Sequence, residues 1–418
     1  MQNKHVKFTK YRKGEFKVSV VDKFLHYVSF DTQSDEHSTT APSTQKQLIL
    51  AQELVKELNE LGIENATLDP YGIVYASIAP TAGKENEKAI GLIAHMDTAG
   101  EMSGKDVKPR IVKNYSGDDI VLNEQFSMNP EQFPALKAVI GDDVIVTDGT
   151  TLLGADDKAG IAIIMATLEK VLKEQIPHGQ IWIAFTPDEE VGRGVENFDL
   201  TKFSADFAYT LDGAEIDCVD YETFNAAMAE VTFTGASIHP GEAKDKMINA
   251  AGLAVTYASM LPQWAKPEHT CGREGFIHLL EMHGECEHAT LSYIVRDHDH
   301  DLFEHKKQLL LDLAQYLNSL HPDCCQVTLR EQYLNMKDYM QGDFESVNRA
   351  KAALQACGIT PRSLPIRGGT DGAMLTQRGL NTPNLGTGGG NYHGRFEFAS
   401  VQKMEKMVDV VCQILKGE

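Results

Sequence analysis

Several segments of this 418-residue sequence place carboxylates or histidines where acid–base or metal chemistry could occur. In the run 181–192, an apolar stretch stops at Pro187 and is followed by the adjacent carboxylates Glu189 and Glu190. This pattern is typical of a buried strand that ends in a loop. Neighbouring side chains of an extended backbone point to opposite sides, so one carboxylate could bind a metal while the other handles a proton. For an isolated Glu-Glu pair, however, a solvated acidic loop is the more common case.

A histidine and an aspartate end a second apolar run. His95 and Asp97 lie two positions apart, which puts both side chains on the same face of a strand end. An imidazole that binds a metal normally donates its other N–H to a carboxylate, and Asp97 could be that partner. A histidine at a strand end is, by itself, more often structural.

Two glycine-rich segments carry further candidates. The segment 154–160 places Asp156 and Asp157 between a predicted strand and a predicted helix, near the positive end of the helix dipole. An N-cap formed by an aspartate explains this segment equally well. The segment 386–394 ends in His393 and lacks the spacing of a phosphate-binding loop, so delivery of His393 to a crowded site is the better interpretation.

Two polar stretches have more than one interpretation. The tract 297–301 alternates Asp and His as a metal site does, but it lies between a predicted strand and an exposed helix, which favours a solvated loop. The segment 367–372 offers Arg367 among small residues. This arginine could anchor a substrate carboxylate, and an ordinary turn is an equally good interpretation.

An α/β fold would bring the candidate residues together. Apolar runs predict strands, and helical spacing predicts helices between them; the strands are 71–78, 89–94, 144–147, 180–186 and 206–211, and the helices are 18–30, 42–62 and 158–173. Strands that alternate with helices predict a sheet with parallel strands. Open α/β sheets bind ligands at the carboxyl ends of their strands, so we expect convergence of His95, Glu189, Glu190 and Asp212.

A different pattern begins after about Glu222. Six elements follow in the order β-α-β-β-α-β, at 228–234, 245–261, 276–284, 287–296, 302–320 and 325–332. This is the split-βαβ arrangement, and about a hundred residues is a normal domain size. The predicted division is an extension at 1–17, a catalytic domain in two parts at 18–224 and 334–418, and an inserted domain at 225–333.

The bulk composition excludes several classes of function. A formal net charge of −21 argues against binding to nucleic acid or to anionic membrane surfaces. No apolar run is long enough to span a bilayer, and the basic stretch 1–17 lacks the apolar core of a secretory signal. The 7 cysteines are scattered without a C-x-x-C pair, which predicts a reduced, cytoplasmic protein and argues against a cysteine-based zinc site.

The candidate segments together supply histidines and carboxylates. Such nitrogen and oxygen donors suit zinc, and a carboxylate-rich site can hold two metals. Two metals about 3.5–4 Å apart would acidify a bridging water and polarise a carbonyl, and a free carboxylate nearby would act as general base.

The chain resembles the peptidase T family, the tripeptide aminopeptidases among the dinuclear zinc exopeptidases. The motifs that carry this resemblance occur in family order, and FTPDEE, PIRGGTDGA and NYHG are more selective than GADDKAG. They are HMDT at His95–Thr98, TTLLGADDKAG at Thr150–Gly160, FTPDEEVGRG at Phe185–Gly194, LDG at Leu211–Gly213, HPGEAKDKMINA at His239–Ala250, PIRGGTDGA at Pro365–Ala373 and GGGNYHGRFEF at Gly388–Phe398.

The resemblance implies two Zn²⁺ per subunit, with Co²⁺ or Mn²⁺ as substitutes. His95 and Asp212 would hold one ion, Glu190 and His393 would hold the other, and Asp156 would bridge both. The implied fold is zinc-exopeptidase-like, with a mixed, mainly parallel sheet covered by helices on both faces. The inserted β-α-β-β-α-β domain would serve as a lid and dimerisation module, which makes a homodimer possible.

The resemblance also implies a mechanism and a substrate. A metal-bridging water would attack the first peptide carbonyl, with Glu189 as general base and Asp97 as the partner of His95. His239, Arg296 and Arg367 match family positions that bind substrate. The implied function is release of the N-terminal residue from tripeptides in the cytoplasm. The alternative is a related metallo-dipeptidase or an amidohydrolase that acts on acylated amino acids.

A non-catalytic metal-binding or peptide-binding protein is a rival from another class. Such a protein is expected to lack the general base or one of the ligands. Every one of those residues is present in this sequence, which favours an enzyme.

Overall fold

The structure is a computed structural model that describes residues 19–417, so the predicted extension at 1–17 lies outside the described residues. Its α-helices, α1 to α9, are Val20–Tyr27, Gln47–Glu60, Ala155–Glu174, Ala250–Met260, His300–Leu320, Met336–Tyr339, Glu345–Ala356, Asp371–Gln377 and Val401–Lys416. Its strands, β1 to β17, are Thr67–Leu68, Val74–Ile78, Ile90–His95, Arg110–Val112, Ile120–Val121, Ser127–Met128, Val144–Val146, Ile181–Thr186, Phe207–Gly213, Val219–Asp220, Asn225–Thr234, Phe276–Gly284, His288–Asp297, Cys325–Tyr333, Asn384–Gly386, Gly389–Gly390 and Phe398–Ser400.

The largest sheet has 7 strands in the order β1-β2-β8-β3-β9-β15-β10. Its four central strands, β8, β3, β9 and β15, run parallel, and the outer strands are antiparallel to their neighbours. Antiparallel edges on a parallel centre are common in α/β proteins. The predicted mixed α/β sheet is therefore confirmed.

Helices cover both faces of this sheet, which explains why its central strand is apolar throughout. Every residue of β3 is buried. Leu92 and Ala94 belong to the core formed with α1, α3 and α9. Ile93, which points to the other face, belongs to a smaller core that includes Leu375 of α8. A strand buried on both faces gives a continuous apolar run instead of alternation.

A second, antiparallel sheet of 4 strands has the order β16-β17-β7-β4. The strand predicted at 144–147 exists as β7, but its expected place in the parallel α/β sheet is wrong. It pairs with β17, where Phe398 lies opposite Val146, and with β4. Strands β5 and β6 lie next to this second sheet. They share with it a small core that includes Tyr115 and Leu136.

The region that begins at β11 forms a separate sheet. Its elements follow the order β11-α4-β12-β13-α5-β14, which confirms the predicted β-α-β-β-α-β arrangement. The strands are all antiparallel, in the order β12-β13-β11-β14. Alternate residues of β13 are buried against α4 and α5, and this sheet and its helices have a core of their own.

The tract 297–301 departs from the expected solvated loop at its first two residues, whereas Asp299, His300 and Asp301 are exposed. Asp297 and His298 are buried, with exposed fractions of 2% and 6%. Asp297 forms an ion pair with Lys306 at 2.5 Å. His298 Nε2 lies 3.0 Å from the carbonyl oxygen of Ile366, and the ring packs on Phe224. These long-range contacts join the β11–β14 sheet to the segment before α8, and a local sequence pattern does not reveal them.

No helix in the described part of the chain combines the length and the apolar character needed to cross a membrane.

Candidate metal centre

The carboxyl ends of three adjacent parallel strands form the floor of the site. Strand β3 ends at His95, β8 ends at Thr186 just before the Glu189–Glu190 pair, and β9 contains Asp212 near its end. In the ladder His95 lies opposite Thr186, and β9 pairs with β3 on the other side. The sheet order thus brings these side chains to one edge, where α/β sheets bind their ligands.

One triad of possible metal ligands is centred on His95. Its Nε2 lies 2.9 Å from Asp156 Oδ1 and 3.5 Å from Asp212 Oδ1. One donor atom from each of these three residues lies within 4.8 Å of the others. The separation is small enough for a single ion to contact all three donors.

A second triad shares Asp156. His393 Nε2 lies 3.0 Å from Glu190 Oε2 and 3.4 Å from Asp156 Oδ2, and these three donors also lie within 4.8 Å of one another. The two oxygens of Asp156 therefore face different imidazoles, Oδ1 towards His95 and Oδ2 towards His393. That is the geometry expected of a carboxylate that bridges two ions.

Neither His393 nor Asp156 has the backbone conformation of a regular helix. His393 has φ +64°, in the left-handed region that residues other than glycine seldom occupy. Asp156 has φ −85° and ψ 106°, which are not helical values although it lies in the first turn of α3. The values at Asp156 are ordinary extended backbone, so only His393 is strained, and such strain concentrates at functional sites.

The prediction of an extended backbone at Glu189 and Glu190 is wrong. Asp188 has φ +59°, and 189–191 forms a single 3₁₀ turn. The turn is stabilised from α2 and the segment before it, because the Asp188 carboxylate accepts hydrogen bonds from the backbone N–H of Ser43 at 2.6 Å and from Gln47 at 2.7 Å. Only Glu190 of the pair joins a triad, so the carboxylates still differ in role.

Asp97 contacts both His95 and this turn. His95 Nδ1 lies 3.1 Å from the carbonyl oxygen of Asp97 and 3.4 Å from its Oδ1. The Asp97 carboxylate accepts the backbone N–H groups of Glu189 at 3.0 Å and Glu190 at 3.2 Å. Asp97 thus orients the imidazole mainly through its main chain and fixes the Glu189–Glu190 turn through its side chain.

The electrostatics of the cluster favour bound cations. Burial, and then the charge of Asp156, raise the pKa of Glu190 to about 7 and that of Asp212 to about 6. Hydrogen bonds to Asp156 and Glu190 raise the pKa of His393 to about 11. Among the described residues Glu190 Oε1 is buried without a hydrogen-bond partner. Crowded carboxylates and an unpaired buried oxygen are what divalent cations would neutralise, and imidazole and carboxylate donors suit zinc.

Glu189 lies beside the triads without belonging to either. Burial, followed by the charge of Asp212, raises its pKa well above the usual value of a glutamate. A carboxyl group with a raised pKa at such a site has the properties of a general acid–base.

Three neighbouring carboxylates were not assigned a role from the sequence. Asp157 accepts the backbone N–H of His95 at 3.2 Å, Glu101 Oε1 lies 3.5 Å from His393 Nδ1, and Asp371 accepts the Thr186 hydroxyl at 2.7 Å. The Asp156-Asp157 pair was the available signal for Asp157. Glu101 lies in an exposed loop and has no comparable signal.

The three predicted substrate residues lie outside the metal triads. His239 is exposed, and its Nδ1 accepts the backbone N–H of Gly241 at 3.1 Å. Arg296 packs on the Tyr333 ring and donates to Gln332 at 2.9 Å. The structure therefore does not place these two side chains among the metal ligands.

Arg367, which precedes α8, contacts the segment between α4 and β12. It donates to the carbonyl oxygens of Gly272 and Glu274, both at 2.9 Å, and to Thr270 Oγ1 at 2.8 Å. Its guanidinium also lies over the Phe224 ring, 5.2 Å from the centroid. In this conformation its donors are therefore engaged with protein acceptors.

One further group of donors is explained by an ion pair. Glu215, Asp217 and Cys218 could offer atoms within 4.8 Å of one another. Arg362 pairs with the Glu215 carboxylate and donates to Asp217 at 2.8 Å. The arginine already neutralises these carboxylates.

Comparison with known proteins gives a consistent result. The model of Peptidase family M20/M25/M40 matches residues 151–417. Peptidase T of Parabacteroides distasonis is 49% identical over 96% of this chain and 98% of its own length. Peptidase T of Bacillus subtilis is 46% identical, with the same coverage of 96% and 98%.

Two solved structures share the fold. The aminopeptidase PepT from Bacillus cereus superposes with a TM-score of 0.75 at 22% identity, over 95% of this chain and 97% of that one. A dinuclear metal-binding peptidase of the M20 family from Bacillus subtilis superposes with a TM-score of 0.65 at 12% identity, over 95% and 96%. The chain therefore belongs to Peptidase family M20/M25/M40 and, within it, to the peptidase T group.

Proposed function

We propose that the protein is a metallo-aminopeptidase that releases the N-terminal residue from tripeptides. The observation that carries this proposal is the pair of ligand triads joined by Asp156, with Glu189 beside them as a free carboxylate. The peptidase T relatives, which match nearly the whole chain at 46–49% identity, support the same activity.

Zinc is the metal that we propose for both positions. His95, Asp156 and Asp212 would hold one ion, and Asp156, Glu190 and His393 would hold the other. When bound, the metal ions would lower the pKa of water and polarise the scissile carbonyl. The oxygen and nitrogen donors support zinc, and they leave Co²⁺ and Mn²⁺ as substitutes.

The role of Glu189 follows from its position and its raised pKa. As general base it would accept a proton from the attacking water and then give that proton to the leaving amine. A glutamate with a raised pKa is a stronger base towards that water than an ordinary glutamate. The hydrogen bond from its N–H to Asp97 holds the turn, so the carboxylate needs little reorganisation during the reaction.

Substrate contacts are proposed for His239, Arg296 and Arg367. Two arginines and a histidine can bind the terminal carboxylate and the peptide carbonyls of a short substrate. In the present conformation Arg367 donates to residues 270–274, so substrate binding through it requires an exchange of these partners.

A comparison of substrate lengths tests the proposed function. Dipeptides, tripeptides, tetrapeptides and N-acylated amino acids of the same residues would be assayed side by side with the zinc-loaded protein. We expect the highest kcat/KM for tripeptides with a free amino group, with cleavage at the first bond only. Higher kcat/KM for dipeptides or acylated amino acids would favour the metallo-dipeptidase or amidohydrolase alternative.

We also propose that residues 225–333 form an inserted domain through which two copies pair, with the catalytic domain at 18–224 and 334–418. The support is the edge of its sheet, where no strand within residues 19–417 pairs with the outer side of β12. Leu279, Leu280 and Met282 of that strand have exposed fractions of 37%, 49% and 44%. An exposed apolar edge strand favours pairing with another strand.

A cytoplasmic location is part of the proposal. All cysteines, which lie within the described residues, are free thiols in the structure. Several of them are buried as small apolar residues, which suits a reducing compartment.

A further inference from the structure

The helix that carries Asp156 has no cap from its own segment. Helix α3 begins at Ala155, and its N-cap position is occupied by Gly154, which provides no side chain to accept a hydrogen bond. The first N–H groups of a helix have no partner within the helix, and a negative charge is favourable there. Asp156 does not fill this role, since its two oxygens face His95 and His393.

Glu397, near the end of the chain, binds the backbone of the segment that leads into α3. Its Oε2 accepts the backbone N–H groups of Leu153 and Gly154, both at 2.7 Å, and its Oε1 accepts the N–H of Asp156 at 3.0 Å. The residue is only 1% exposed. Burial raises the pKa of Glu397 to about 7, while its backbone hydrogen bonds favour the ionised form. Hydrogen bonds to the ionised carboxylate are about twice as strong as neutral ones.

The second antiparallel sheet explains how Glu397 reaches this position. It immediately precedes β17, whose first residue, Phe398, lies opposite Val146 at the end of β7. Glu397 is therefore next to the segment that follows β7 and leads into α3. Its own N–H donates to the carbonyl oxygen of Gly394 at 3.2 Å, and Gly394 directly follows His393. Glu397 thus contacts the backbone of Asp156 through its side chain and the loop of His393 through its own main chain.

We propose that Glu397 is a positioning residue for the metal centre, which sets the bridging Asp156 and the loop of His393 in their ligating arrangement. Glu397 touches none of the donor atoms, so it acts through the backbone that carries them. The proposal rests on the metal site of the proposed function. It adds that the geometry of that site depends on a carboxylate outside both triads.

The variant Glu397→Gln tests this role. Glutamine has the same shape, but its NH₂ group replaces one of the two accepting oxygens. That NH₂ group would face a backbone N–H and could not accept its hydrogen bond. We expect a decrease of about 10–100-fold in zinc affinity, the usual effect of losing a partner that orients a metal ligand. Competition with a chromophoric chelator measures this affinity without any peptide substrate. At saturating zinc we also expect a lower kcat with a nearly unchanged KM.

The variant Glu57→Gln is the matched control. Glu57 of α2 is another buried carboxylate, 6% exposed, which pairs with Lys23 and accepts the Tyr27 hydroxyl at 2.6 Å. Its replacement should lower the melting temperature and leave zinc affinity unchanged. If Glu397→Gln keeps wild-type zinc affinity, or loses no more than Glu57→Gln does, the proposal is refuted.

Hydrogen exchange in the wild-type protein provides a test that does not depend on how the variant folds. The N–H groups of Leu153, Gly154 and Asp156 should be protected both with zinc and after its removal, since Glu397 holds them without the metal. If these three N–H groups exchange in the zinc-free protein as fast as those of an unprotected loop, the proposal is contradicted. A protein that binds zinc but cleaves no tripeptide would refute the proposed substrate and leave both tests of Glu397 valid.

Discussion

At the scale of single residues, Asp156 is the group on which the proposed metal centre depends most. It is the only member common to the two triads found in the described residues. Each of its oxygens faces a different imidazole, at 2.9 Å and 3.4 Å. No other carboxylate of the triads contacts both histidines within 4 Å in the described residues, so none could replace it as a bridge.

Replacement of the bridging residue should therefore remove metal. We expect Asp156→Ala to bind fewer than two zinc ions per chain and to lose more than about 100-fold in activity. This exceeds the usual loss when a residue that only hydrogen-bonds to a metal ligand is replaced. Elemental analysis after gel filtration measures the metal content. The matched control is Asp199→Asn, whose carboxylate accepts from the nearby Thr201 in its own turn. An Asp156→Ala protein that still holds two zinc ions would contradict the bridging role.

The residue scale also shows what the sequence could predict of the site. His95, Asp156, Glu190, Asp212 and His393 were all named from their motifs, and the structure brings them together in two triads. The extended backbone at Glu189 could not be predicted correctly. The turn there depends on Asp188, whose partner Ser43 lies 145 residues earlier in the chain.

At the scale of elements, burial decided which strands were predictable. Strands β3 and β8 were predicted to within one or two residues, because a strand covered on both faces gives a continuous apolar run. The sequence predicted strand β7 but not the sheet to which it belongs. Its partner β17 begins at Phe398, far along the chain, and a local pattern does not reveal such a partner. The contact of Glu397 with the backbone at 153–156 was missed for the same reason.

The short edge strand β10 allows a prediction about pH. Burial raises the pKa of Asp220 to about 6, above the value of about 3.9 of an unfolded aspartate. The folded state then binds more protons than the unfolded state between these values, so this group contributes stability as the pH falls from 6 towards 4. Above pH 6 its charge disfavours folding.

Replacement of Asp220 isolates this effect. Asp220→Asn keeps an acceptor for the N–H of Leu364, which Asp220 Oδ1 binds at 2.9 Å. We expect the variant to have the larger free energy of unfolding at pH 8, and the difference from wild type to shrink towards pH 4. Urea titrations at several pH values measure it. A difference that does not change with pH would show that Asp220 titrates normally.

At the scale of the whole molecule, the proposed metal centre and the proposed pairing surface lie on different sheets. The metal triads lie at the edge of the 7-stranded sheet, whereas the exposed β12 edge belongs to the sheet of β11 to β14. The segment that follows α7 and the residues around His298 connect the two, through contacts of His298 with Ile366 and of Arg367 with 270–274.

Oligomeric state tests the pairing surface. We expect the wild-type protein to sediment as a dimer and Leu280→Lys to sediment as a monomer, because a charge on the exposed edge of β12 opposes strand pairing. Ile49→Lys is the control, since Ile49 is equally apolar and 57% exposed but lies on α2. A wild-type monomer, or a Leu280→Lys dimer of unchanged affinity, would refute a dimer through this edge.

The central claim is that the triads hold the metals while Glu189 moves the proton. Glu189→Gln changes the proton acceptor and leaves all five proposed ligands in place, whereas Glu190→Gln changes a ligand. The decisive measurement is zinc content and tripeptide turnover in the same preparation of Glu189→Gln. We predict two zinc ions per chain and a kcat lowered by about 10²–10⁴-fold, the usual contribution of a general base. Wild-type turnover in the zinc-loaded variant would contradict the account.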